Sequence, residues 1–146
     1  MSFFDSLAIS ASALSAERQR TDIIAANLAN AETTHTQAGG PFKRREVVFQ
    51  SQGGSPFQFE LASTGREELP GEVKIARVVD DPTPPVMRYE PGHPDANKEG
   101  YVAYPAINPA MEMVDLMDAA RAYQLNASAV AATKQMIQQT IDILKS

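Results

Sequence analysis

The side chains best suited to chemistry in this 146-residue chain are two histidines, His35 and His93, and two carboxylate pairs, Asp80-Asp81 and Asp115 with Asp118. A histidine relay or metal site needs its groups brought together, but these histidines sit in separate loop-like stretches and no cysteine is present to complete a ligand set. A hydrolytic carboxylate pair must flank one bond. Asp80 and Asp81 are adjacent in an extended stretch and point in different directions, whereas Asp115 and Asp118 follow Glu112 in the early turns of a helix, where the positive end of the dipole accounts for them. His93, between Gly92 and Pro94, reads as a loop residue held by a hydrogen bond. Lys43-Arg44-Arg45 is a short basic run in a chain of net charge -5, which reads as a solvated face and argues against nucleic acid. No Gly-rich phosphate loop, Walker-type lysine or nucleophile elbow occurs. The expectation is a protein that is not an enzyme, with no metal, no cofactor and no small-molecule substrate.

The elements that hold these residues are two long helices and what lies between them. Phe4, Leu7, Ala11, Leu14, Arg18, Thr21, Ala25 and Leu28 alternate steps of three and four, the seam of a coiled coil. Met113, Leu116, Ala120, Tyr123, Ala127, Val130, Lys134, Ile137, Ile141 and Leu144 repeat the alternation near the other end. Asn108-Pro109 starts this second helix, as an N-cap followed by a proline in the first helical position. Beside its seam runs a stripe of smaller residues, including Ala119, Ala122, Asn126, Ala129 and Thr133, suited to a helix from a neighbouring subunit. Asn27 and Asn30, one turn apart at the end of the first helix, read either as caps that visit the left-handed region or as contacts with a neighbouring subunit.

Between the helices the pattern shortens to strands and turns. Phe42 to Gln50 reads as a strand through Val47, Val48 and Phe49, and Phe57 to Leu61 and Val73 to Val79 alternate as strands, while Gly53-Gly54-Ser55-Pro56 and Leu69-Pro70-Gly71 supply turns. Asp80 to Pro85 is an extended connector and Tyr89 to Ala96 a tight loop, because each proline removes a donor and restricts its predecessor. The predicted fold class is α+β: residues 1–34 and 108–146 form a paired, coiled-coil-like helical module, and 35–107 a small β-rich insert. With 43% hydrophobic residues the chain can bury only a modest core. The absence of cysteine allows an oxidising compartment, and Asp5, Ser6, Ser10 and Ser12 break any apolar leader, so a cleaved signal peptide is not expected.

These residues carry a resemblance. Asn27-Leu28-Ala29-Asn30-Ala31-Glu32-Thr33-Thr34 resembles the signature shared by bacterial flagellar rod, hook and hook-associated proteins. Gly39-Gly40-Pro41-Phe42-Lys43-Arg44-Arg45, Pro91-Gly92-His93-Pro94-Asp95 with Gly100-Tyr101-Val102, and Pro105 to Pro109 leading into Met113-Val114-Asp115 narrow it to the flagellar basal-body rod family, nearest its proximal-rod members. Ala106 stands where that family usually has an asparagine. The resemblance implies a structural subunit of a helical rod that crosses the periplasm, exported through the flagellar type III apparatus without cleavage and packed by its terminal helices against itself and other rod proteins. Leu7, Leu14, Asn27, Leu28, Asn30, Leu116, Ala122, Tyr123, Ala129, Val130, Ile137 and Ile141 are the expected assembly interface. The alternative is a soluble helical adaptor or secretion chaperone whose seams hold a partner.

Overall fold

The computed structural model describes residues 3–52 and 71–145. The expected strand at Phe57 to Leu61 and the turn at Gly53 to Pro56 lie outside the described residues. The fold is α+β, with helix α1 (Phe3–Ala29), strands β1 (Arg45–Gln52), β2 (Glu72–Asp80), β3 (Val86–Tyr89) and β4 (Tyr101–Tyr104), and helix α2 (Pro109–Lys145). The strands form two two-stranded sheets, β1 with β2 and β3 with β4. The chain divides into two compact units. One draws its described residues from Met1–Gln19, Phe49–Ala76 and Ala119–Ser146; the other consists of Arg20–Val48 and Arg77–Asp118.

Helix α1 is free of glycine and proline, so nothing interrupts its ladder until Asn30. There the ladder tightens: the Asn30 amide donates to both Ala26 and Asn27 carbonyls, and the Asn30 side chain donates to Ala26 O at 2.9 Å. The cap is therefore made by a side chain, not by a left-handed residue, since no described non-glycine residue has positive φ. In the first unit Ser12 Oγ donates to Ile9 O and accepts the Val73 amide at 3.0 Å, which ties the start of β2 to α1. Along β2, half-buried Val73, Ile75 and Val79 alternate with exposed Glu72 and Lys74, as one-sided burial requires.

Strands β3 and β4 pair antiparallel, with Val86 opposite Tyr104, Arg88 opposite Val102 and Tyr89 opposite Tyr101. Val102 is fully buried and Tyr104 nearly so, while every residue of β3 is exposed. The Tyr104 hydroxyl donates to Glu90 at 2.9 Å, and the Arg88 guanidinium lies 4.5 Å from the centre of its ring. The connecting loop is built from local bonds: His93 Nδ1 accepts the Asp95 amide, as its place between Gly92 and Pro94 suggests, and Asn97 Oδ1 accepts the amides of Glu99 and Tyr101. At the foot of this hairpin Gly100 has φ +84, and a Cβ there would lie 2.8 Å from Tyr89 Cε2 and 3.3 Å from Pro91 Cβ.

The predicted coiled-coil seams are only half correct, and α2 shows why. Leu116, Val130 and Ile137 are half-buried as one row of the seam, but Met113, Ala120, Lys134 and Ile141 of the other row are exposed, as is Tyr123. The covered row is instead Glu112, Ala119, Asn126 and Thr133, seven residues apart. Size and polarity misled the reading. Alanine permits close approach, Thr133 satisfies its hydroxyl on Ala129 O, and Asn126 its amide on Ala122 O, so residues that look like surface can face inward. On α1 the covered positions are Ala16, Ile24 and Asn27, while Ala11, Arg18 and Ala25 of the predicted seam are exposed.

Gly100→Ala should lower stability by about 1–2 kcal/mol, the cost of a left-handed non-glycine residue, because the Tyr89 ring is exposed and can give way. A shift of the urea midpoint measures this; an unchanged midpoint would mean that the hairpin does not need the positive φ.

Candidate functional site

The densest polar arrangement in the described chain lies within the second unit, where the end of α1, the start of β1 and the first turn of α2 meet. Asn108 caps α2, its side chain accepting the Ala110 amide at 3.0 Å and its carbonyl accepting the Glu112 amide. This cap fixes the first turn and turns Glu112 inward, where it is only 1% exposed. Asn27, in the last turn of α1, is equally buried. Its Nδ2 donates to Glu112 Oε2 at 3.2 Å and to the Arg45 carbonyl at 2.8 Å, while its Oδ1 accepts the Arg45 amide at 2.9 Å. The opposite orientation of that amide would set like groups against each other at all three partners.

Arg44 supplies the counter-charge. Its Nε donates to Glu112 Oε1 at 2.6 Å, and its terminal nitrogens pair with Glu46, with Asp115 at 3.5 Å and with Asp81 at 3.9 Å. Burial opposes its charge, but the hydrogen bond and charge of Glu112, then those of Glu46, outweigh it and hold the guanidinium above its ordinary pKa. The Arg44 carbonyl accepts the Asp81 amide at 2.7 Å, which joins the connector after β2 to the same point. Arg45 turns outward, 5.5 Å from the Phe42 ring centre and 3.8 Å from Asp80. The basic triplet is thus not a uniform solvated face: Lys43 is exposed, but Arg44 closes a buried ion pair.

A buried carboxylate is costly unless its attraction to a partner and its hydrogen bonds offset the loss of water. Glu112 has both, from two other segments of the unit. The cleft that Asn27, Arg44 and Asp115 border together with Arg20, Ile23, Ile24 and Val47, about 240 Å³, presents no nucleophile paired with a base. What the arrangement does is mechanical: it locks an asparagine, a backbone and a carboxylate in one register. Sequence reading assigned Glu112 to the helix dipole and Asn27 to a cap or a subunit contact, and it missed Arg44. A polar residue at a heptad spacing from Ala119 was the signal that could have found Glu112.

Of the residues expected at an assembly interface, Asn27 is buried inside the junction and Asn30 is the helix cap. Leu7, Leu14, Leu28, Leu116, Ala122, Val130 and Ile137 are half-buried, and Tyr123, Ala129 and Ile141 are exposed.

Comparison with known proteins decides the family. Residues 7–34 match the family model for flagella basal body rod proteins, and residues 98–143 match that for the C-terminal part of flagellar basal body rod FlgEFG proteins. The chain is 41% identical over 151 residues to the flagellar basal-body rod protein FlgC of Bacillus subtilis, covering 99% of this chain and all of the relative. It is 35% identical to FlgC of Yersinia enterocolitica, with 98% of each chain covered, and 32% identical to FlgC of Borreliella burgdorferi, with 99% of each covered. The chain belongs to the FlgC family of flagellar basal-body rod proteins. Its role is therefore structural, as a component of the flagellar rod, and the Asn27 junction lies at the end of the helix that carries one of the two rod-family matches. The Glu112 side of the junction lies within the other match.

Removing Glu112 should be the most damaging change at this junction. Glu112→Ala is expected to cost about 3–5 kcal/mol, because Asn27 and Arg44 each lose a buried partner, whereas Glu112→Gln should cost about 1–3 kcal/mol. Urea unfolding at constant slope measures both; equal midpoints for the two variants and the parent would show that the buried pair contributes nothing. Asp81 offers a second check. Its carboxylate accepts the Thr83 hydroxyl at 2.5 Å and the Thr83 amide at 2.8 Å, and these bonds hold its pKa below the ordinary 3.8. A lowered folded pKa means that this stabilisation is fully present above the ordinary value and is lost as pH falls through the folded one. In Thr83→Val the Asp81 titration followed by carboxyl NMR should move up toward the ordinary value, and no movement would remove the hydroxyl as the cause.

Proposed function

We propose that this chain is a subunit of the proximal rod, polymerising axially through its terminal helices with other rod proteins and with copies of itself as part of the drive shaft for motility. The observation that carries this reading is the apolar surface left on α2. Ten of the seventeen exposed large apolar residues among those described lie on this helix, from Met111 to Leu144. A helix apolar on several sides is one that other elements surround, and in a chain similar to rod proteins along its whole length the surrounding elements are neighbouring subunits. Tyr123, Ala129 and Ile141 face such neighbours directly; Leu7, Leu14, Leu28, Asn30, Leu116, Ala122, Val130 and Ile137 flank them, and Asn27 contributes from within by setting the helix end. The subunit reaches a periplasm-spanning rod through the flagellar export apparatus, and it acts by packing, without catalysis and without binding nucleic acid.

Deleting the chain should abolish swimming and leave basal bodies without a complete rod by electron microscopy, and restoring it should restore both. Ile141→Asp should fold like the parent by circular dichroism, since Ile141 is exposed, yet enter basal bodies at least about tenfold less, the factor that 1.4 kcal/mol of lost contact gives. Swimming by the deletion strain, or normal incorporation of the variant, would contradict the proposal.

A further inference from the structure

Strand β3 keeps one edge and one face open. In an antiparallel pair the positions that bond across the ladder recur at every second residue. The Glu90 amide donates to Gly100 O at 2.9 Å, so Arg88 opposite Val102 and Val86 opposite Tyr104 are the pairs whose backbone groups turn toward β4. Met87 and Tyr89 therefore turn their N–H and C=O groups to the outer edge. On β4 the corresponding outward residue, Tyr101, is served by Asn97: its Oδ1 accepts the Tyr101 amide at 2.9 Å, and its own amide donates to Tyr101 O at 2.8 Å. Among the described residues no such partner meets Met87 or Tyr89, and the sheet ends at β3.

The outer face is unlike that of a sheet built to meet water. Val102 and Tyr104 are buried on the inner face, so Met87, Tyr89 and Tyr101 stand on the outer one, where an open sheet normally carries polar residues. Tyr89 is 65% exposed and Met87 52%, and the Tyr89 and Tyr101 rings meet edge to face at 5.3 Å. On the inner side the Arg88 guanidinium rests on the Tyr104 ring, with no carboxylate paired to it among the described residues. The next positions along the outer edge, Pro85 and Pro91, have no N–H to give. Open backbone is thus confined to Met87 through Tyr89, with apolar side chains on one face and a cation on the other.

We propose that the outer edge of β3 takes a short extended strand of another protein, in which two apolar residues flank an acidic one. Met87 and Tyr89 supply the backbone donors and acceptors for strand addition. The apolar residues of the incoming strand lie beside Met87 and Tyr89, and the carboxylate between them, on the opposite face, lies beside Arg88. Three residues span only about 10 Å, so the contact fixes register and falls far short of the roughly 800 Å² that a stable pair buries on each partner. The flanking prolines keep it from growing into a continuous sheet. It uses neither terminal helix and is separate from the packing proposed above.

The probe is the peptide acetyl-Thr-Ile-Glu-Val-Thr-amide, added at millimolar concentration to the isotope-labelled full chain and followed by NMR. The Met87 and Tyr89 amides should shift and exchange more slowly with solvent, and replacing the peptide's glutamate by lysine should weaken binding at least about threefold, because an opposite-charge pair becomes a like one. Met87→Pro should abolish binding while the amides of Arg88 and Val102 keep their protection, since the Met87 amide turns away from β4. Unmoved Met87 and Tyr89 amides, equal binding of the lysine peptide, or undiminished binding by Met87→Pro would each overturn the proposal. Shifts at the same amides on concentrating the chain alone would make a second copy the occupant. Ring shifts at Tyr89 and Tyr101 with a chitin oligosaccharide, and none with the peptide, would make the face a glycan platform; either result overturns it as well.

Discussion

The constraint on which the second unit depends is the burial of one carboxylate. Glu112 is removed from water at the first turn of α2, and its ion pair with Arg44 and hydrogen bond with Asn27 are what offset that loss of hydration. Those two residues belong to separate segments, and Asn27 is held in turn by both backbone groups of Arg45. Satisfying one side chain therefore sets where α1 ends, where β1 begins and where α2 starts. An apolar contact of similar size would tolerate sliding by a fraction of a turn, whereas three directional bonds to one amide do not.

Legibility in the sequence followed the kind of force involved. Local backbone chemistry was readable: Asn108-Pro109 starts α2, β1 contains the apolar run Val47 to Phe49, β2 follows its alternating run, and His93 bonds within its loop. The short strand β3 was not, because Val86 to Tyr89 lies between two proline-containing stretches and all its residues are exposed, so no burial pattern marks it. The helix seams were legible only in part, for a different reason. A search for large apolar residues finds the row of Leu116, Val130 and Ile137, but the facing row is Glu112, Ala119, Asn126 and Thr133, whose burial depends on partners and on close approach that sequence spacing does not reveal. At the junction the separations are long, with Asn27 and Glu112 lying 85 residues apart. Position at the helix end singled out Asn27, but as a cap or a subunit contact and not as the buried partner of Arg45 and Glu112.

The arrangement inverts the usual distribution of polarity on α2. Glu112, Asn126 and Thr133 turn inward while Met111, Met113, Leu125 and Ile143 remain in solvent. For a monomer this spends little hydrophobic stabilisation on its own helices. Methionine is flexible and adapts to irregular surfaces, so Met111, Met113, Met117 and Met136 can be covered by neighbours of different shapes. A structural subunit that must meet more than one kind of neighbour gains from such a surface.

Polar burial and apolar exposure then divide two tasks along the chain. The Asn27, Arg44 and Glu112 junction defines geometry within one unit, because misplacing it leaves a buried charge unpaired. In the proposed packing the exposed rows of α2 supply energy that depends on neighbours, since ordering each residue of a helix costs on the order of 1–2 kcal/mol of backbone entropy and half-exposed side chains return little of it alone. Helix ends far from the junction are consequently the part of the fold whose order responds most to what surrounds it. Substitutions at the junction act on the folded chain itself, whereas under the proposed packing substitutions on the exposed rows of α2 act on association, so that folding and assembly can be altered independently.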